Sequence, residues 1–71
     1  MIYKLYDKQA NELKETIYET KAKAEEARRH WFNDGCEECK FIGLKPISYE
    51  QFCEDVSICE YDDNYNLIKE Y

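Results

Sequence analysis

The spacing of apolar residues changes from one segment of the chain to the next. Residues 2–6 alternate between two faces, and one of these faces carries Tyr3 and Leu5. A period of two, in a segment with β-branched and aromatic side chains, predicts a short strand at the start of the chain.

A helical pattern follows this strand. From Lys8 to Phe32 the chain contains no Pro or Gly, and strong helix formers dominate. Apolar or small residues recur at alternating intervals of three and four, at Ala10, Leu13, Ile17, Thr20, Ala24, Ala27 and Trp31. This repeat predicts one long helix. Asp7 is its expected N-cap, and Gly35 is expected to end it in a left-handed conformation.

A shorter helix is predicted in the second half of the chain. Residues 36–47 are expected to form a compact connection, in which the apolar residues 41–44 form a short strand or a buried loop. Ser48, followed three residues later by Gln51, is typical of a capping box. These signals predict a helix from Tyr49 to Val56.

The last segment has the pattern of a β-hairpin. Ser57–Tyr61 and Leu67–Tyr71 are predicted strands, and the polar residues 62–66 between them are the predicted turn. The elements together predict an α+β fold in a single small domain, residues 1–71. The N-terminal strand is expected to join the C-terminal hairpin in a small antiparallel sheet, against which the long helix packs.

The predicted helix is longer than the predicted strands. About 25 residues at ~1.5 Å per residue extend over roughly 37 Å, whereas strands of this length reach about 17–20 Å. We expect residues 36–56 to cover the remaining apolar stripe near Trp31 and Phe32. The alternative is a homo-oligomer that forms through the long helix along Ala24–Trp31.

The charge is divided unevenly between the two halves of the chain. The 71 residues include 16 acidic and 10 basic side chains, and the net charge is -6. Residues 1–33 carry a net charge of +1 and residues 34–71 carry -7. Direct binding to nucleic acid is not expected, because basic side chains supply most of the affinity for phosphates.

Length and hydropathy exclude further classes of protein. A domain of this size buries only about 60% of its unfolded surface, so we expect a partner or a metal to add stability. No run approaches the ~18 apolar residues of a membrane span, and the first residues do not have the pattern of a signal peptide. The expected location is cytoplasmic, with reduced cysteines.

Acidic and tyrosine side chains alternate in the second half of the chain. The predicted partner-binding residues are Tyr49, Glu54, Asp55, Glu60, Tyr61, Asp62, Asp63 and Tyr65. Tyrosine is enriched at protein interfaces, and carboxylates can take the place of phosphates in a basic groove. We therefore expect a non-enzymatic binding or inhibitor protein that blocks a basic site on another protein, for example a nucleic-acid-binding one.

In size, acidity and tyrosine content the whole chain resembles the small acidic inhibitors that phages and mobile elements encode. These include anti-CRISPR and other anti-defence proteins. The resemblance implies the inhibition of a partner protein and transfers no individual site residues.

The four cysteines suggest an alternative function. Cys36 and Cys39 have the spacing of a zinc-binding pair, and Cys53 and Cys59 are the other candidate ligands. A zinc-stabilised structural or interaction module is therefore the second hypothesis. No other cofactor is expected.

No pattern of catalytic residues stands out. His30 is the only histidine, and its place near the predicted helix end is explained by the helix dipole. Asp62-Asp63-Asn64-Tyr65-Asn66 begins like a calcium loop but has Leu67 where the loop needs Gly. We expect no enzymatic activity.

Overall fold

Two helices and four strands make up the chain in the computed structural model, which describes Met1–Tyr71. In chain order the elements are β1 (Ile2–Asp7), β2 (Glu12–Leu13), α1 (Lys21–Phe41), α2 (Tyr49–Asp55), β3 (Val56–Tyr61) and β4 (Leu67–Glu70). The predicted α+β fold, with a long helix, a short helix and a C-terminal hairpin, is confirmed.

The four strands form one antiparallel sheet in the order β2-β1-β3-β4. Leu5 of β1 lies opposite Ile58 of β3, and Cys59 of β3 lies opposite Glu70 of β4. The predicted pairing of the N-terminal strand with the hairpin is therefore confirmed. The two-residue strand β2 at one edge was not predicted.

The core lies between the sheet and the first half of α1. Its buried residues are Leu5, Ala24, Val56 and Ile58. Leu5, Val56 and Ile58 share one face of the sheet because alternate residues of a strand point to the same side. Ala24 is fully buried against this face, so the start of the Ala24–Trp31 stripe is covered by the chain's own sheet.

The prediction that the long helix begins at Lys8 is wrong. It begins at Lys21, where Thr20 is the N-cap and its Oγ1 accepts a hydrogen bond from the Lys23 backbone N–H at 3.2 Å. Asp7 instead stabilises a turn, in which its Oδ1 accepts from the backbone N–H groups of Gln9 and Ala10.

Pairing with β1 explains why the preceding residues are not helical. Leu13 lies opposite Tyr6 in the sheet, and Tyr18 exchanges two backbone hydrogen bonds with Tyr3, at 2.8 and 2.9 Å. These bonds join residues distant in sequence and satisfy the backbone of the segment outside a helix. They override a helical pattern that is only a weak local preference.

The predicted end of the long helix at Gly35 is also wrong. Helix α1 continues through Gly35 to Phe41, and Gly43 follows with a positive φ of 80°. The left-handed conformation that ends the helix is therefore adopted by the next glycine along the chain. Residues 41–44 form neither a strand nor a buried loop, because they contain the exposed end of α1 and the following turn.

The second helix begins where the capping box predicts. The Ser48 Oγ accepts a hydrogen bond from the Gln51 backbone N–H at 3.2 Å. Helix α2 ends at Asp55, one residue before the predicted end, because Val56 already belongs to β3.

The predicted hairpin turn is confirmed and is held by one carboxylate. The Asp62 Oδ1 accepts from the backbone N–H groups of Asn64 at 2.8 Å and Asn66 at 2.9 Å. These hydrogen bonds lower the pKa of Asp62, since they favour its charged form. Tyr65 occupies the left-handed region with a φ of 62°.

Candidate functional site

One end of the molecule is helical and extends beyond the sheet. We call residues 32–55 the helical end; it comprises the second half of α1, the connection 42–48 and α2. The residues of α1 that pack on the core end at Trp31. The protein measures 44 × 20 × 19 Å, so it is elongated.

Aromatic contacts hold α2 against α1 within the helical end. The ring of Phe32 lies 5.0 Å from Tyr49 and 5.5 Å from Phe52, measured between centroids. Trp31 contacts Phe52 edge-on at 5.6 Å. The guanidinium of Arg29 lies 4.3 Å from the centre of the Tyr49 ring. The expectation that residues 36–56 cover α1 near Trp31 and Phe32 is confirmed.

An apolar groove of about 160 Å³ remains between these elements. Helix α1 contributes one wall, and the connection and α2 contribute the other, with the lining residues Phe32, Gly35, Cys36, Cys39, Pro46, Ile47 and Phe52. A Cβ placed on Gly35 would meet no atom within 4 Å. The glycine is therefore not required by packing within the chain, although it costs the helix about 1 kcal/mol relative to alanine.

Large apolar side chains next to this groove lie in solvent. Phe41 is 92% exposed, Ile42 61%, Leu44 60% and Ile47 49%. Soluble proteins seldom cluster such side chains at their surface unless the surface contacts something else. This cluster was not predicted from the sequence. The signal for it was the run of helix formers up to Gly43, which indicates that α1 continues past Gly35.

The helical end also carries an excess of acidic residues. It contains six acidic residues and two basic ones, for a net charge of -4, which leaves -2 for the rest of the chain. The acidic residues are Asp34, Glu37, Glu38, Glu50, Glu54 and Asp55. All five ion pairs of the protein lie outside the helical end, so these carboxylates are not neutralised by a neighbouring cation.

The predicted partner-binding residues fall into two separate groups. Tyr49, Glu54 and Asp55 belong to α2 in the helical end. Tyr61, Asp62, Asp63 and Tyr65 lie at the other end of β3, in and before the hairpin turn. A six-residue strand between the groups spans about 20 Å, so they do not form one continuous patch.

Glu60, the remaining predicted residue, is buried beneath α1. It is 8% exposed. Its Oε2 accepts a hydrogen bond from the Tyr3 hydroxyl at 2.7 Å, and its Oε1 accepts from the Tyr71 hydroxyl at 3.1 Å. Lys21 Nζ lies 4.0 Å from the centre of the Tyr71 ring. Glu60 therefore belongs to a partly buried hydrogen-bond network rather than to an exposed acidic surface.

This network makes the stability of the fold decrease at alkaline pH. The hydrogen bond to Glu60 raises the pKa of Tyr3, and burial together with Glu60 raises that of Tyr71. The folded protein then holds phenol protons that the unfolded chain loses above about pH 10. We expect the contribution of these groups to the free energy of unfolding to be fully present and independent of pH below about pH 10, and to be lost progressively above it.

Chemical denaturation at several pH values tests this expectation. In the Tyr3→Phe/Tyr71→Phe variant the fall above about pH 10 should be shallower than in the wild type. Tyr65→Phe is the control, because Tyr65 is exposed and outside the network. Equal slopes for the wild type and the double variant would contradict the role of the network.

The four cysteines do not come together. Cys36 and Cys39 line the groove, and Cys53 lies half-buried in α2. Cys59 is buried in β3, and its burial raises the pKa of its thiol. No group of three or more His, Cys, Asp or Glu side chains has an arrangement that would hold a metal ion. A zinc site built from all four cysteines is therefore not formed in this structure.

Comparison with known proteins adds no relative. No protein-family model, no curated protein and no solved structure matches the chain. Neither helix has the length and apolar character that crossing a membrane requires.

Proposed function

We propose that this chain is a non-enzymatic binding protein of the inhibitor type, and that the helical end is its contact surface. It would enter a basic site on a partner protein and block that site. The observation that carries the proposal is the coincidence of exposed apolar side chains, an apolar groove and unpaired carboxylates in residues 32–55.

The apolar part of this surface would supply most of the binding free energy. Burying ~100 Å² of apolar surface contributes about 2.5 kcal/mol at 25 cal/mol per Å². Phe41 is the most exposed large side chain and is the expected anchor. The groove beside Gly35 has room for an apolar side chain of the partner, since nothing in the chain fills it.

The charge of the helical end favours a basic protein segment as its partner over a second copy of the chain or an anionic membrane surface. A second copy of the chain would place a net charge of -4 against another -4, which is unfavourable. An anionic membrane surface would repel it for the same reason. A cationic amphipathic segment offers apolar side chains and opposite charge together.

A site that normally binds nucleic-acid phosphates has this chemistry. The carboxylates of the helical end would replace phosphates, and their charge would speed association. This mode of action agrees with the resemblance in size and charge to anti-defence inhibitors of phages and mobile elements.

A synthetic peptide of Leu and Lys at helical spacing is a suitable probe, because it carries only the proposed chemistry. Glu37→Lys/Glu38→Lys should weaken binding of this peptide at least about tenfold, since it removes opposite charge beside the groove. Asp63→Lys/Glu15→Lys makes the same change in net charge outside the helical end. At ~0.15 M salt, where screening acts over about 8 Å, we expect this control to weaken binding less than about threefold.

Fluorescence anisotropy of the labelled peptide gives both dissociation constants, and circular dichroism checks that the variants are folded. Phe41→Ser should also weaken binding, whereas a Leu and Glu peptide should bind none of the proteins. Equal losses in the two charge-reversal variants would overturn the assignment of the helical end as the contact surface.

A further inference from the structure

Two thiols lie in the α1 wall of the apolar groove. Cys36 and Cys39 are three residues apart in α1, and both line the groove. Residues at this spacing lie on the same side of a helix, with Cβ atoms about 5–6 Å apart. Both side chains are half-exposed and neither is in a disulfide, so both sulfur atoms are free to bind a ligand from solvent.

The other groove residues offer no competing ligand atoms. Phe32, Pro46, Ile47 and Phe52 have only hydrocarbon side chains, and Gly35 has none. The site therefore presents two soft sulfur donors and no nitrogen or oxygen donor from a side chain. Hard ions prefer oxygen ligands, and structural zinc takes four ligands, so this donor set suits neither.

We propose that Cys36 and Cys39 form a binding site for Cu(I), held by two thiolate sulfurs. Thiolates select Cu(I) because both partners are soft. The apolar walls add no hard ligand that could compete with the two sulfurs. Cys59 takes no part, because it is buried in β3 and does not line the groove.

Proton and charge balance gives the site a pH dependence. Each thiol releases one proton to solvent, and each sulfur donates an electron pair to the ion. The complex of Cu(I) with two thiolates then carries one net negative charge, and no electron is transferred. Affinity is expected to rise with pH, because protons compete with the metal for the sulfur atoms.

Competition with a chromophoric Cu(I) chelator under anaerobic, reducing conditions tests this site on the full chain. We expect the wild type to take one equivalent of Cu(I), and Cys36→Ser and Cys39→Ser each to weaken binding at least about 100-fold. Cys53→Ser and Cys59→Ser are the matched controls, and both should stay within about threefold of the wild type. Equimolar Zn²⁺ should not displace the Cu(I).

Three results would overturn the proposal. The first is Cu(I) binding that persists in the Cys36→Ser/Cys39→Ser variant, which would place the metal elsewhere. The second is an equal loss of Cu(I) affinity in all four single variants, which would mean that the protein rearranges to bring all four cysteines to the ion. X-ray absorption that finds more than two sulfur ligands would also contradict it. Peptide binding is measured on the metal-free protein, so the result of the Cu(I) experiment is independent of the test of the proposed function.

Discussion

Ile58→Ala is expected to lower the free energy of unfolding by about 3 kcal/mol. Ile58 is fully buried at the centre of the core, where it lies with Leu5, Val56 and Ala24. The substitution removes buried carbon atoms and leaves a cavity that the sheet cannot close. Since only seven residues of this chain are buried, no second core compensates.

Urea denaturation followed by circular dichroism measures this loss. Ile68→Ala is the matched control, because the same atoms are removed from a side chain that is 48% exposed in β4. The control should change stability by less than about 0.5–1 kcal/mol. If the two isoleucine variants lose equal stability, the assignment of Ile58 to the core is contradicted.

Glu60→Ala is expected to cost about 2–3 kcal/mol, the second largest effect. The substitution leaves the hydroxyls of Tyr3 and Tyr71 without their acceptor beneath α1. Partly buried donors that are left unpaired lose part of their hydration without gaining a hydrogen bond. Glu54→Ala, which removes an exposed carboxylate from α2, is the control and should be nearly neutral.

A double-mutant cycle separates this network from a simple loss of charge. In a Tyr3→Phe/Tyr71→Phe background, Glu60→Ala should cost at least about 1 kcal/mol less than in the wild type, because the hydroxyls are already gone. Additive losses would show that the carboxylate stabilises the fold by another route. Each variant is measured by the same urea titration.

The burial of Glu60 affects how functional variants should be designed. A charge reversal at Glu60 would disrupt the fold and reduce partner binding indirectly, so it cannot report on the contact surface. Substitutions at Glu37 and Glu38 avoid this problem, because both side chains are exposed on α1.

Local signals in the sequence were sufficient for several elements. Alternation predicted β1, the Ser48 and Gln51 pair predicted the start of α2, and the polar run 62–66 predicted the hairpin turn. In the cap of α2 and in the turn, the determining interactions join residues within about four positions of one another; for β1 the signal is the alternation of neighbouring side chains. Such interactions can be read from the order of the residues alone.

The boundaries of α1 were not predictable in this way. The stripe through Leu13 and Ile17 has helical spacing, but residues 13–18 satisfy backbone groups of β1. Gly35 looks like a helix end, yet the hydrogen bonds of α1 continue past it to Phe41. A glycine within a helix costs only about 1 kcal/mol, which the remaining turns and the packing of α2 offset.

The sequence by itself determined the fold class and the excess of acidic residues in the second half of the chain. Only the tertiary structure decided which acids are exposed, because exposure depends on contacts between distant residues. Tyr3 and Glu60 are 57 positions apart and form one partly buried hydrogen bond. The same folding turned Phe41 and the carboxylates of the helical end toward solvent, since the sheet is too short to cover all of α1.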